Sequence, residues 1–296
     1  MIKLIKIAIE SNLFIAVAAI AFLWANIFLL GINCHCFHIL TLQVFFSTWF
    51  VYHVSRWIYF KKGQYTNENE LVVQWFLKYP KLNEITIFGS GFLAIILTFF
   101  LKWETILIVC FIGAISVLYP IQILKPFGIK TRLRDFPFIK IFLIALVWSV
   151  TSVLLPVTES GINLSERKDV WLVLCAQFIF ILFITLPFDI NDIETDKACN
   201  MKTIPAVFGI KTSKYICLFL GIIYSFLLLY IFIIENWRMI NAIYLSEYTI
   251  ISIWLLMIIL QSFTFLQADK LPKWLIKVIY DGSIIVYFFI FFFTIK

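Results

Sequence analysis

The chain is 296 residues long; 62% of them are hydrophobic, 14% are charged, and the formal net charge is +7. So little polar surface cannot coat a water-soluble globule of this size, which excludes a soluble enzyme or nucleic-acid-binding domain and makes lipid the solvent. The apolar residues come in continuous blocks of about 18 to 22, the length of helix that crosses roughly 30 Å of hydrocarbon, and they do not alternate as barrel strands would.

The first block, residues 13–30, follows Lys3 and Lys6 and contains Ala16, Val17 and Ala18, features that a cleaved signal peptide shares. It runs too far for a signal core, so a retained helix is expected. The short outer connection behind it carries Cys34, His35, Cys36 and His38. These are zinc and copper ligand types, yet Cys-x-Cys in so short a loop is not zinc-knuckle spacing, and ordinary loop residues are the simpler reading. Cys110, Cys175 and Cys217 fall inside apolar blocks, where a thiol packs as a small apolar group.

In the second block, residues 39–60, Thr48, Tyr52, Ser55, Arg56 and Tyr59 recur at helical spacing as a polar stripe, with His53 at its margin. Exposing Arg56 to lipid costs at least about 2.5 kcal/mol, so it either snorkels to the nearby helix end or faces the bundle interior. Blocks 85–101, 105–124 and 138–155 follow. Lys125, Lys130, Arg132 and Arg134 occupy the loop before the fifth block, and Lys140 stands at that block's entrance, where snorkelling is the simplest reading. Blocks 170–188, 215–234, 247–266 and 276–295 complete nine expected transmembrane helices. The expectation is one all-α, polytopic membrane domain over residues 1–296.

The N-terminal tail and the even-numbered loops carry sixteen of the 24 Lys and Arg residues, and Lys277 stands at the adjoining entrance of the last block. The positive-inside rule therefore puts the N-terminus in the cytoplasm and, with nine helices, the C-terminus outside.

Residues 186–209 read LPFDINDIETDKACNMKTIPAVFG and differ from everything around them. Asp189, Asp192 and Asp196, three and four positions apart, fall within an arc of about 60° on one helix face. Carboxylates about 6 Å apart repel by something like 3 kcal/mol per pair at an effective dielectric near 20, so the stripe asks for a cation. Hard oxygen donors without His or Cys favour Mg²⁺ or Ca²⁺, and Mg²⁺ shares its shell with substrate phosphates. The alternative is a solvated helix end in which Lys197 and Lys202 neutralise the acids.

The run from Asp189 to Gly209, with its trailing Lys202-Thr203-x-Pro205, resembles the second aspartate-rich motif of the UbiA superfamily of intramembrane prenyltransferases. Residues 116–128, SVLYPIQILKPFG, are similar to that family after its fourth helix, and residues 136–156 to the fifth helix of some members. The resemblance implies nine transmembrane helices with this motif at the cytoplasmic end of the sixth. It also implies Mg²⁺-dependent transfer of a prenyl chain from its diphosphate to a lipophilic acceptor.

On that resemblance the metal ligands are Asp189, Asp192 and Asp196, and the catalytic residues Asp192, Asp196, Lys125 and Tyr119. Prenyl diphosphate is expected on Arg56, His53, Tyr52, Asp189 and Lys202. The family's first aspartate-rich motif is missing, because residues 48–60, TWFVYHVSRWIYF, contain no acid. Arg56, with its planar fork of donors, is expected to face the sixth helix and bind diphosphate where relatives place a second metal. Two alternatives stand beside transfer: a catalytically idle relative that binds a prenyl lipid, and a transporter, for which Arg56 and Lys140 inside the spans are the only hints.

Overall fold

A computed structural model of the chain describes residues 2–32, 37–61, 71–121, 136–198, 201–238 and 247–294. Among these residues all regular structure is helical. The helices are α1 (Ile2–Glu10), α2 (Leu13–Leu29), α3 (His38–Lys61), α4 (Leu71–Lys78), α5 (Pro80–Thr98) and α6 (Trp103–Leu118), then α7 (Ile139–Ser160), α8 (Lys168–Asn191), α9 (Ile193–Ala198), α10 (Ile204–Arg238), α11 (Glu247–Gln267) and α12 (Lys273–Thr294).

Each of the nine apolar blocks overlaps one of these helices, although α6 ends at Leu118, short of the expected 124. The short helices α1, α4 and α9 are additional, too brief to show as apolar blocks. Helix α5 starts at residue 80 rather than 85 because Pro80 occupies its first turn, where a missing N–H costs nothing. Among the described residues, five segments are long and apolar enough to cross a membrane: Pro80–Thr98, Ile139–Ser160, Lys168–Asn191, Ile204–Ile233 and Lys273–Phe293. A sixth arises if the bent pair Lys3–Glu10 and Leu13–Leu29 counts as one span.

The 84° bend of that pair has a local cause. Asn12 adopts a left-handed conformation (φ 56°), tolerated by Asn better than by most residues, and its buried Nδ2 donates to His53 Nδ1 at 3.1 Å. Trp49 Nε1 donates to the Ser11 carbonyl at 2.8 Å, tying the bend to α3.

Helix α8 is the hub, packed on α7, α10 and α12. Its Phe180 meets Phe22 of α2, Tyr224 of α10 and Tyr287 of α12 at ring distances of 5.9, 5.1 and 5.2 Å. The hydroxyls in this layer are satisfied internally, with Gln177 Nε2 and Tyr224 Oη both donating to Tyr287 Oη at 2.9 Å. In lipid an unmet polar group costs several kcal/mol, so this network fixes the depth and rotation of three helices. Pro187, inside α8, cannot donate to the Phe183 carbonyl one turn back, and the Cys217 thiol takes that carbonyl at 3.5 Å. Cys217 thus has a specific partner where packing alone was expected.

Candidate active site

The end of α8 gathers the charged residues. After Asn191 the helix breaks for one residue at Asp192 (φ −92°, ψ 6°) and resumes as α9. Asn191 Nδ2 donates to the carbonyls of Ala268 and Leu271, at 3.0 and 2.9 Å, and so anchors this end to the turn between α11 and α12. The stretch behind the acids folds back: Met201 N–H donates to the Asp196 carbonyl at 2.8 Å, and Phe138 N–H to the Lys202 carbonyl at 3.1 Å. Gly209, with φ 82° and ψ 164°, kinks the start of α10. A Cβ there would meet no atom within 4 Å, so the demand for glycine is purely conformational. Gly209→Ala should lower stability by about 1–3 kcal/mol, read as a lower unfolding temperature in detergent; an unchanged temperature would show that the kink is not strained.

The break splits the acidic stripe. Asp189 and Asp196 are both 2% exposed and both face Lys140: its Nζ lies 2.6 Å from Asp189 Oδ1 and 3.7 Å from Asp196 Oδ2. Asp192 is half-exposed and turns to α12, where Lys273 Nζ is 2.8 Å from its Oδ1. Burial pushes the Asp196 carboxyl above the usual carboxylate range; Lys140 opposes that rise, and Asp189 and Asp192 add to it. Among the described residues no three His, Cys, Asp or Glu side chains converge as a metal cage. Lys140 sits between two of the three carboxylates that were expected to hold metal. Lys140 was expected to snorkel; the structure turns it inward onto the acids.

A cavity of about 200 Å³ opens beside this cluster. Its polar wall consists of Arg56 and Tyr52 from α3, Lys140 from α7, Thr185 and Asp189 from α8, Asp192 at the break, and Lys277 and Asp281 from α12. Trp148, Ile181, Ile184, Phe188 and Ile284 supply the apolar wall. Arg56 thus shares the cavity wall with Thr185, Phe188 and Asp189 of α8. Tyr52 also lines two further cavities, and Tyr119, with Ser55 and Ser116, lines one of them.

Other expected site residues lie elsewhere. The His53 ring is buried between Trp49 and Phe76, with centroids at 5.9 and 5.8 Å, and bonded to Asn12; it supports the α1–α2 bend and is absent from the chamber wall. Lys202 contributes its backbone carbonyl, while its side chain points to solvent. Lys125 lies outside the described residues, as do Lys130, Arg132, Arg134 and Cys34, His35 and Cys36. Sequence reasoning missed Lys277 and Asp281. Asp281 is an acid inside the last apolar block, and the rule that singled out Arg56, that an ionisable residue in a span is functional by default, would have found it.

The sequence matches the profile of the UbiA prenyltransferase family over residues 84–277. Among curated proteins none matches. Solved structures share the fold. The UbiA homolog from Archaeoglobus fulgidus bound to GPP and Mg²⁺ superposes with a TM-score of 0.65 at 16% identity, covering 96% of this chain and 98% of that one. The apo UbiA homolog from Aeropyrum pernix K1 gives 0.68 at 14% identity over 94% and 97%. A digeranylgeranylglyceryl phosphate synthase gives 0.57 at 16% identity over 98% of both chains. The profile match covers well over half the residues and includes the acidic run, its Lys-Thr-x-Pro turn and both Lys140 and Lys277: the chain belongs to the UbiA prenyltransferase family.

Proposed function

We propose that this protein is an intramembrane prenyltransferase that moves an isoprenyl chain from a prenyl diphosphate to a lipophilic acceptor, with Mg²⁺ as cofactor. On this reading nine helices span the membrane, the N-terminus is cytoplasmic, the C-terminus is outside, and the acidic end of α8 faces the cytoplasm, following the Lys and Arg count of the loops. One observation carries the reading. A single chamber combines cations suited to phosphate with carboxylates, and its Tyr52 and Trp148 also line an apolar cavity between helices. The A. fulgidus homolog, bound to GPP and Mg²⁺, gives the reading a structural parallel.

The charges of the chamber suit such a ligand. Arg56, Lys140 and Lys277 balance Asp189, Asp192 and Asp281, so the wall is close to neutral. A multiply charged diphosphate entering a neutral, low-dielectric chamber needs a cation with it. Asp189 and Asp192, the two carboxylates that α8 presents to the chamber, fit one Mg²⁺, which takes only one or two protein carboxylates when phosphate oxygens complete its shell. When bound, Mg²⁺ would neutralise charge that accumulates on the diphosphate as the allylic carbon–oxygen bond breaks. Arg56 binds phosphate oxygens with its fork of donors. The Tyr52 and Trp148 rings, at the junction with apolar space, stabilise positive charge on the prenyl carbon, and the isoleucines and Phe188 exclude water. Tyr119, on the adjoining cavity, would assist from the acceptor side.

Arg56→Ala should weaken binding of radiolabelled geranyl diphosphate tenfold to a hundredfold, the worth of a charge-assisted hydrogen bond of about 1.5–3 kcal/mol. Equal affinity in variant and parent would remove Arg56 from the site.

A second reading, binding of a prenyl lipid without turnover, is favoured by Lys140, whose ammonium occupies the space between Asp189 and Asp196. Purified protein incubated with Mg²⁺, a radiolabelled prenyl diphosphate and a membrane lipid extract separates the two. Metal-dependent labelled product supports transfer, whereas retained binding with no product supports the idle relative.

A further inference from the structure

Three cavities share Tyr52 and Trp148 as wall residues. One is the charged chamber. A second, of about 210 Å³, lies at the same level, beside Ser55 and Tyr119. The third, of about 110 Å³, runs away from the charges between α2, α3, α6 and α7 and closes on Phe22, Gln43 and Leu155, which are 0, 2 and 1% exposed. We infer that this third cavity holds the tail of the prenyl donor and restricts the donor to two isoprene units; the inference rests on the prenyltransferase reading and adds a chain length to it.

The chemistry of the walls suits an aliphatic tail although several hydroxyls line it. Ser116 Oγ donates to the Ile112 carbonyl at 2.8 Å and Ser152 Oγ to the Ser149 carbonyl at 3.3 Å. Ser47 Oγ accepts from Gln43 Nε2 at 2.9 Å, and the same amide reaches Thr98 Oγ1 at 3.3 Å. With these groups engaged within the protein, and Thr48 and Thr151 adding two further hydroxyls, the surface left to a guest is still mostly C–H, which suits an isoprenoid better than a polar acceptor.

Length and volume then set the size. From Tyr52 to Gln43 along α3 the cavity extends about 13 Å, and from Trp148 to Leu155 along α7 about 10 Å. An extended carbon chain advances about 1.3 Å per bond, or roughly 5 Å per four-bond isoprene repeat, so length admits two units and part of a third. Volume is the stricter limit. A cavity of about 150 Å³ accommodates one benzene, roughly 25 Å³ per carbon, so 110 Å³ holds about one isoprene unit beyond the one at the Tyr52–Trp148 junction. A longer tail would have to displace Phe22 or Leu155 from a close-packed core, which resists such insertion.

The test is equilibrium binding of dimethylallyl, geranyl, farnesyl and geranylgeranyl diphosphates, with Mg²⁺, to the full chain in lipid nanodiscs. Affinity should peak at geranyl and fall about tenfold or more by geranylgeranyl. Gly113 lines the cavity, and a Cβ there would meet nothing within 4 Å, so Gly113→Phe should fill the cavity and shift the optimum to dimethylallyl. Leu155→Ala, at the closed end, should shift it the other way, toward farnesyl, and stands alone if the first variant does not fold. Affinity that keeps rising through geranylgeranyl, or one length profile in parent and variants alike, overturns the inference while leaving the prenyltransferase reading intact. If none of the four diphosphates binds, that reading fails, and the inference with it.

Discussion

Lys140→Met should destabilise the protein by about 3–5 kcal/mol, the penalty for removing one partner of a buried ion pair. The Lys140 side chain is 14% exposed and the Asp189 side chain 2%, and the 2.6 Å contact between them is supplemented by Asp196 at 3.7 Å. Without the ammonium, two buried carboxylates face each other across the place it occupied. The pH dependence of the deficit is a second readout. Burial already holds the Asp196 carboxyl above its ordinary range and Lys140 counters it, so the variant raises that carboxyl further. A carboxyl whose pKa is higher folded than unfolded binds more protons in the native state, so the native state gains stability as pH falls. The deficit of Lys140→Met relative to the parent should therefore shrink between pH 8 and pH 5, and adding Asp189→Asn should restore part of the stability. Thermal unfolding in detergent at both pH values measures this. A variant as stable as the parent, or a deficit that grows on acidification, would falsify the ion-pair assignment.

What the sequence made legible follows from which signals are one-dimensional. The apolar blocks each fall on a helix of the described residues because, in lipid, a continuous apolar stretch has few other ways to satisfy its backbone, although only five segments, or six with the bent pair, are long and apolar enough to cross a membrane. Arg56 and Tyr52 were found as interruptions of an apolar helix, and both line the chamber. Asp189 and Asp192 were found as neighbours in a run. The failures share a cause: each depends on a direction that spacing does not encode. Lys140 at a helix entrance can reach outward or inward, and only the packing of α7 on α8 decides that it meets Asp189. His53 sits at the margin of the stripe and is drawn aside by Asn12, whose left-handed conformation has no signature in the residues around it. The one-residue break at Asp192 turns that carboxylate toward Lys273, where uniform helical spacing would have kept it beside the other two. Asp281 was overlooked although it was visible, a lone acid in the last block.

Asp192→Asn should reduce prenyl transfer by about 10²- to 10³-fold, the scale seen when one preorganised electrostatic contact to a developing charge is lost, with almost no change in stability. The two halves of this expectation come from the same geometry. Asp192 and its partner Lys273 are 34% and 36% exposed, and an ion pair that open to water contributes about 0–1 kcal/mol. Loss of turnover therefore cannot be ascribed to unfolding, as it could for the buried Asp189. Asn keeps the shape and one carbonyl oxygen but removes the charge that would hold Mg²⁺, so the variant should also require more Mg²⁺ to reach its own half-maximal rate. Lys273→Met is the control, because it breaks the same ion pair from the other side and leaves the carboxylate in place. If both variants lose activity equally, the pair acts by shaping the turn before α12. If Asp192→Asn alone loses activity and Lys273→Met retains it, the carboxylate itself serves the reaction. Parental turnover in Asp192→Asn would take that carboxylate out of the reaction and leave Asp189 and Asp281, the other carboxylates on the chamber wall, as the residues to test next.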